Sequence, residues 1–379
     1  MADDASELQR ISQLLDRGEV QAAQRALKPI YQRRRQEAPV LYLVARVNEA
    51  RDRLDLAERI YRDLLKSGDV PPNIITKARQ GLQRLEVRDR LRRHERIASA
   101  KLTKPDRLGL LILEATPAER RRDLAQQLAR VLDIDPYTAR LQLQTHGWRL
   151  YRIGDFATLD VYGRDLRQAG LKTFWVDRAE IETIEVFCVD HLEQVEPNVV
   201  AVCRDSLGQV GRLEFNHSEV ARQVRGGVPF FVDAVSYDIS KQDKDKIKRK
   251  PEIRDFVQLL DLHLPDRRCI LRLCDRSYRF DQGAIFTAEQ LEREQKGLQA
   301  STATTRINWN GMLAAVDRFC PTASVWREFT PFAETAIDYY NLMSGIVAHV
   351  EIPRSRPSNW DAAFQLYSTL VWLREAEAL

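Results

Sequence analysis

The residues best suited to chemistry lie between positions 261 and 276. Asp261, His263, Cys269, Cys274 and Asp275 bring together a base, two thiols and two carboxylates. A Cys/His pair at hydrogen-bond distance would activate a thiolate for nucleophilic attack. Arg267, Arg268 and Arg276 stand among them, and guanidinium forks of this kind hold carboxylate or phosphate. With His263 they form a candidate anion or ligand site. Parity opposes the nucleophile. Cys269 and Cys274 are five positions apart, so on one strand they face opposite sides, and a buried cysteine behaves as a small hydrophobe. Core packing is the simpler fate. His191, beside Asp190, and His217, before Ser218 and Glu219, are two further bases. Nothing else that a site requires stands near them, and His217 fits the region of a helix cap.

Other chemistries find less support. The chain has 16 glycines but no G-x-x-x-x-G-K and no G-x-G-x-x-G, the loops whose backbone amides cradle phosphate. It has no C-x-x-C and no H-E-x-x-H, the spacings that zinc favours. No metal and no cofactor are therefore expected, and no catalytic residue is assigned. Five cysteines, odd in number and irregular in spacing, suit reduced thiols better than a disulfide framework. The opening MADDASELQR is acidic and polar, unlike a secretory leader, and no apolar run approaches the ~18 residues that cross a bilayer. The expected location is the cytoplasm. The 379 residues are 44% apolar and 30% charged, with a net charge of +4, as in a folded multi-domain protein. Arginine outnumbers lysine by 47 to 12, a bias that base composition explains more simply than anion recognition. Five of those lysines fall within Lys241–Lys250, but Asp243 and Asp245 dilute them and no aromatic is interleaved. This argues for a solvated segment and against nucleic acid as the partner.

The elements that must position these residues begin with helices. Residues 1–97 are rich in helix formers and contain almost no strand signal. Ala23, Leu27 and Ile30 are followed 34 residues later by Ala57, Tyr61 and Leu64. Each set is spaced i, i+4, i+7, one face of a helix, with the small alanine admitting a close neighbour. This offset resembles tetratricopeptide repeats, whose unit is a helix–turn–helix. In the better unit Leu41, Val44 and Ala45 take the packing positions of the first helix, and Pro71 follows the second. The preceding unit has Ile11 at a small-residue position and Gly18 in its turn; Asn73–Arg93 reads as a closing helix, with Arg79 at a small-residue position. The resemblance covers about a fifth of the chain. It implies a groove lined by the first helix of each unit, so that Leu8, Ser12, Tyr42, Arg46 and Glu49 would face a partner polypeptide.

The texture changes after residue 97. Leu108–Leu113, a helix from Thr116-Pro117 to about Leu132, a second from Asp135-Pro136, Trp148–Ile153, a helix Asp155–Ala169 stopped at Gly170, and Leu171–Val176 give β-α-α-β-α-β. This order loosely resembles the C-terminal domain of ribosomal protein L7/L12 and implies no function. Strands are expected at Ile184–Val189, Val199–Cys203, Gly211–Phe215 and Val228–Tyr237, with a short helix at Ser218–Val224. Residues 107–240 thus read as one α+β module, 241–252 as a charged linker or loop, and 253–379 as a C-terminal α/β module. In the last, Cys269–Phe280 reads as a strand, and Asn310–Phe319, Pro331–Ile346 and Trp360–Leu373 read as helices. Phe332, Tyr339, Tyr340, Phe364, Tyr367 and Trp372 form a core stripe on those helices. The expected class is an all-α repeat region followed by two α+β modules. The expected function is a non-catalytic adaptor or regulator that binds a protein or peptide. The alternative is an enzyme or small-ligand sensor with an arginine-lined pocket between the central and C-terminal modules. The sequence fixes no oligomeric state.

Overall fold

A computed structural model describes residues 2–103, 106–237, 247–287, 292, 296, 302–352, 354 and 358–376. The chain divides into two compact units, Met1–Thr103 and Lys104–Leu379. The first is helical and the second is α+β, as the change of texture predicts.

The first unit holds five helices: α1 (Ala2–Asp16), α2 (Val20–Arg33), α3 (Ala38–Ala50), α4 (Leu54–Lys66) and α5 (Pro72–Thr103). Helices α1 and α2 pair, as do α3 and α4, and α5 packs on both members of the second pair. Helix α1 also touches α3, which touches α5. The six residues of the 34-residue offset are all buried in one core. Gly18 adopts φ +79° in the α1–α2 turn, a left-handed conformation that costs glycine little. The closing helix is ten residues longer than its expected end at Arg93. Its packing positions are Ile74, Ala78, Gly81 and Leu85. Ala78, one residue before the exposed Arg79, therefore supplies the small contact.

The second unit is layered. Strands β1 (Leu108–Leu113), β2 (Arg149–Asp155) and β3 (Thr173–Asp177) form a three-stranded antiparallel sheet in the order β2-β1-β3. Helices α6 (Arg121–Leu132), α7 (Pro136–Gln142) and α8 (Phe156–Gln168) cover one face. Asp135 and Asp155 cap α7 and α8 by accepting from the backbone N–H of Thr138 and Thr158. β1 is apolar at nearly every position because both faces are covered. Leu111 and Leu113 join the core beneath α6–α8, while Leu110 and Ile112 join the opposite one.

After the short α9 (Arg178–Ile181) comes a larger sheet. Its strands are β4 (Glu185–Gln194), β5 (Val199–Arg204), β6 (Val210–Phe215), β7 (Arg222–Tyr237), β8 (Ile247–Leu264), β9 (Cys269–Cys274) and β10 (Ser324–Trp326). They run in the order β10-β7-β8-β9-β4-β5-β6. Pairing is antiparallel except at β4–β9 and β10–β7. One face packs on α10 (Thr302–Phe319). The other shares a core with the small sheet through α11 (Phe329–Ala336), α12 (Tyr340–Met343) and α13 (Asn359–Ala376).

The strand expected at Cys269–Phe280 stops at Cys274, and three larger expectations change. The run 241–252 is not a linker between two modules: residues 241–246 lie outside the described set, and 247–252 pair with β7. Beyond the stretches that meet β10 and β9, strands β7 and β8 continue as a two-stranded ribbon, where backbone pairing makes no demand for burial on both faces. The segments either side of this run therefore build one sheet. The expected helix at Ser218–Val224 is only a 3-10 turn, His217–Glu219, closed by a capping box between Asn216 and Glu219. The expected helix Pro331–Ile346 is two, α11 and α12.

Candidate functional site

The expected groove is occupied by the unit's own contacts. Tyr42 is only 8% exposed. Its ring lies 6.1 Å from that of Tyr61, and the ammonium of Lys77 sits over it at 5.9 Å. Glu49 accepts hydrogen bonds from the Tyr61 hydroxyl at 2.7 Å and from Arg84 Nε and Nη2 at 2.8 and 2.9 Å. Burial pushes the Glu49 carboxyl up, but the bonds from Arg84 and Tyr61 outweigh it and hold the pKa below its ordinary value. Arg46 Nη1 meets Asp16 Oδ1 at 2.9 Å. Leu8 and Ser12 are half-buried on α1. Tyr42, Arg46 and Glu49 thus tie α3 to its neighbours. The cause is α5, which brings Lys77, Arg84 and Arg88 against α3; Arg88 also donates to the Glu49 carbonyl at 3.2 Å.

What stays open beside α3 is a ridge on α5. Gln80, Arg84, Val87 and Leu91 are spaced i, i+4, i+7, i+11, and with Gln83 and Arg88 they line a shallow hollow. Val87 and Leu91 are 51% and 58% exposed. The sequence signal was available. After Leu85 the helical pattern of α5 continues with Val87 and Leu91 among arginines, and none of the residues from Glu86 to Thr103 is buried.

In the second unit, His263, Arg267, Arg268 and Arg276 do not converge. Arg267 pairs with Glu219 at 2.6 Å. Arg268 sits exposed in the β8–β9 turn at φ +54°. Arg276 pairs with Asp255. His263 is sealed beneath α13: its Nε2 is 2.9 Å from Ser368 Oγ, its ring lies 5.4 Å from that of Trp372, and its Nδ1 has no partner among the described residues. Burial, then the charges of Arg222 and Arg272, depress its pKa to about 3.

The group missed in the sequence is Arg272. Fully buried, it donates to Asp261 from Nε at 2.8 Å and Nη2 at 2.6 Å, and from Nη1 to the carbonyl of Ala348. The signal was the hairpin. A turn centred between Leu264 and Cys269 places Asp261 opposite Arg272, and His263 opposite Ile270. Cys269 and Cys274 fall in the cores on opposite sides of the sheet, as parity predicts. All five thiols are free, and burial raises the pKa of each, to about 11 for Cys203, Cys269 and Cys320. They are set for packing and poorly set for attack. His217 stacks on Phe319 at 5.1 Å.

Among the described residues, no helix is long and apolar enough to cross a membrane. Compared with models of protein families, with curated proteins and with solved structures, the chain matches none.

Proposed function

We propose that this protein is a non-catalytic adaptor or regulator, acting in the cytoplasm, that binds a partner polypeptide through its N-terminal helical unit. The observation that carries this reading is the α5 ridge, where Val87 and Leu91 stand exposed on the face that also bears Arg84 and Arg88. The packing of α3 on both α1 and α5 supports it, because it sets such a ridge beside an ordered helical surface. A partner helix with apolar residues at i and i+4 has the complementary chemistry for Val87 and Leu91.

The test is affinity purification of the intact protein from its native cell, wild type against a Val87→Glu/Leu91→Glu double variant. Tyr340→Ala, which alters a residue 70% exposed in the second unit, is the control. The reading expects a co-purifying protein that is retained by wild type and control and lost by the double variant. Equal retention by all three would remove the ridge as the binding surface.

A further inference from the structure

The seven-stranded sheet ends on β6, with β5 on its inner side. Val210–Phe215 pair with β5 in unbroken register, and the strand has neither the proline nor the bulge that commonly blunts an edge. The turn before it fixes which way its main-chain groups point. The Asp205 N–H donates to the Gln209 carbonyl at 3.1 Å, and pairs that exchange main-chain bonds alternate with pairs that do not. Gly211, Leu213 and Phe215 therefore bond to β5. Val210, Arg212 and Glu214 turn their N–H and C=O groups to the outer edge. Val210 is 65% exposed and the Arg212 side chain 70%, so this margin lies at the surface.

The side chains alternate between two faces. Phe215 is buried in the core against α10, and Leu213 packs half-buried at the rim of that core. On the other face Arg212 Nη2 meets Glu193 Oε1 at 2.8 Å, and Glu214 Oε1 accepts from Asn198 Nδ2 at 2.9 Å. Each bond uses only part of the donor or acceptor capacity of its group.

Opposite charges two positions apart on such an edge select one way of meeting a second copy. A twofold axis through Leu213 sets Arg212 opposite Glu214 of the second copy, and Glu214 opposite its Arg212. Both positions direct their main-chain groups outward, so each such pair exchanges main-chain bonds as in any antiparallel ladder. An axis through Arg212 would oppose two guanidinium groups, and an axis through Glu214 two carboxylates, and like charges directly opposite are destabilising. An axis between residues would set an outward group against an inward one. At the favoured axis each Leu213 faces its counterpart, so the two core rims meet.

We propose that β6 pairs antiparallel with β6 of a second copy of this chain about a twofold axis at Leu213, joining two sheets into one. The contact is self-complementary, as a closed dimer requires. This inference uses no part of the α5 ridge and stands or falls separately from the adaptor reading.

The test is sedimentation equilibrium of the full-length chain at low salt, from micromolar to millimolar concentration. Wild type should show a reversible monomer–dimer equilibrium. Arg212→Glu and Glu214→Arg each set like charges opposite one another twice per dimer, and each should weaken association about tenfold. The double variant Arg212→Glu/Glu214→Arg restores opposite charges and should recover most of that loss. Both sites are exposed, so these variants keep the fold, which circular dichroism checks. Register is read by oxidative cross-linking. Leu213→Cys lies opposite itself at a non-hydrogen-bonded position, where Cβ atoms approach to about 4.5–5.5 Å, near the span of a disulfide. It should form a covalent dimer readily, and Arg212→Cys should not, with wild type as the blank for the five native thiols. A monomeric wild type throughout, single variants that associate as wild type does, a double variant that recovers nothing, or cross-linking through Arg212→Cys in preference to Leu213→Cys would overturn the proposal.

Discussion

Arg272 and Asp261 are the most consequential pair at the scale of single residues. Both are almost fully buried and joined by two hydrogen bonds. Removing one partner strands the other charge in a medium that cannot solvate it. Asp261→Asn should therefore destabilise the second unit by about 3–5 kcal/mol. The double variant Asp261→Leu/Arg272→Met should recover most of that loss, since no buried charge remains. Chemical denaturation of the three proteins checks the order. His263 adds a pH dependence. Its folded pKa of about 3 lies below its ordinary value near 6.5, so the unfolded chain binds the extra proton. Stability is then complete above about pH 6.5 and falls by about 1.4 kcal/mol per pH unit as acidity increases toward pH 3. His263→Gln, measured between pH 4 and 6, should flatten this slope by about one proton. Parity alone revealed the opposite facing of Cys269 and Cys274. The role of Arg272 stayed hidden because it depends on strand register and on a carbonyl 76 positions away.

Among the elements, the helices of the first unit were the most legible. Ala23, Leu27, Ile30, Ala57, Tyr61 and Leu64 showed their face by spacing alone, and all six are buried. What spacing did not show was how close α4 and α5 come. A Cβ added at Gly81 would lie 2.5 Å from Tyr61 Cζ, inside the ring's contact distance. Alanine normally favours a helix over glycine by about 1 kcal/mol. Here the clash, in a core that tolerates little added volume, should exceed that gain. Gly81→Ala is expected to destabilise the first unit by about 1–2 kcal/mol net, read as faster hydrogen exchange across α4 and the first half of α5. Strand β8 was obscured for the opposite reason. Its first half carries the composition of a solvated segment, and its second half alternates Leu260, Leu262 and Leu264 with Leu259, Asp261 and His263. Two buried polar residues on one face disguised a central strand.

The whole molecule distributes its stability unevenly. β8 and β9 lie in the interior of the seven-stranded sheet and contribute to the cores on both of its faces. The last part of α5, Glu86–Thr103, has no buried residue. Native-state hydrogen exchange should find the slowest amides at Leu259–Leu264 and Cys269–Cys274, and the fastest helical amides in the second half of α5. Protection in Glu86–Thr103 equal to that of β9 would contradict this picture.

Strand order also dictates a schedule during synthesis. β4 takes β9 as its parallel neighbour, so Gln194 leaves the ribosome 80 residues before Cys274 does. At translation rates of about 5–20 residues per second, the nascent β4–β5–β6 meander waits roughly 4–16 s with an unmatched apolar edge. The N-terminal helices, whose contacts are local, have already emerged before that wait begins. The newborn chain is thus a half-finished protein whose β4 margin stays uncovered until β9 is made.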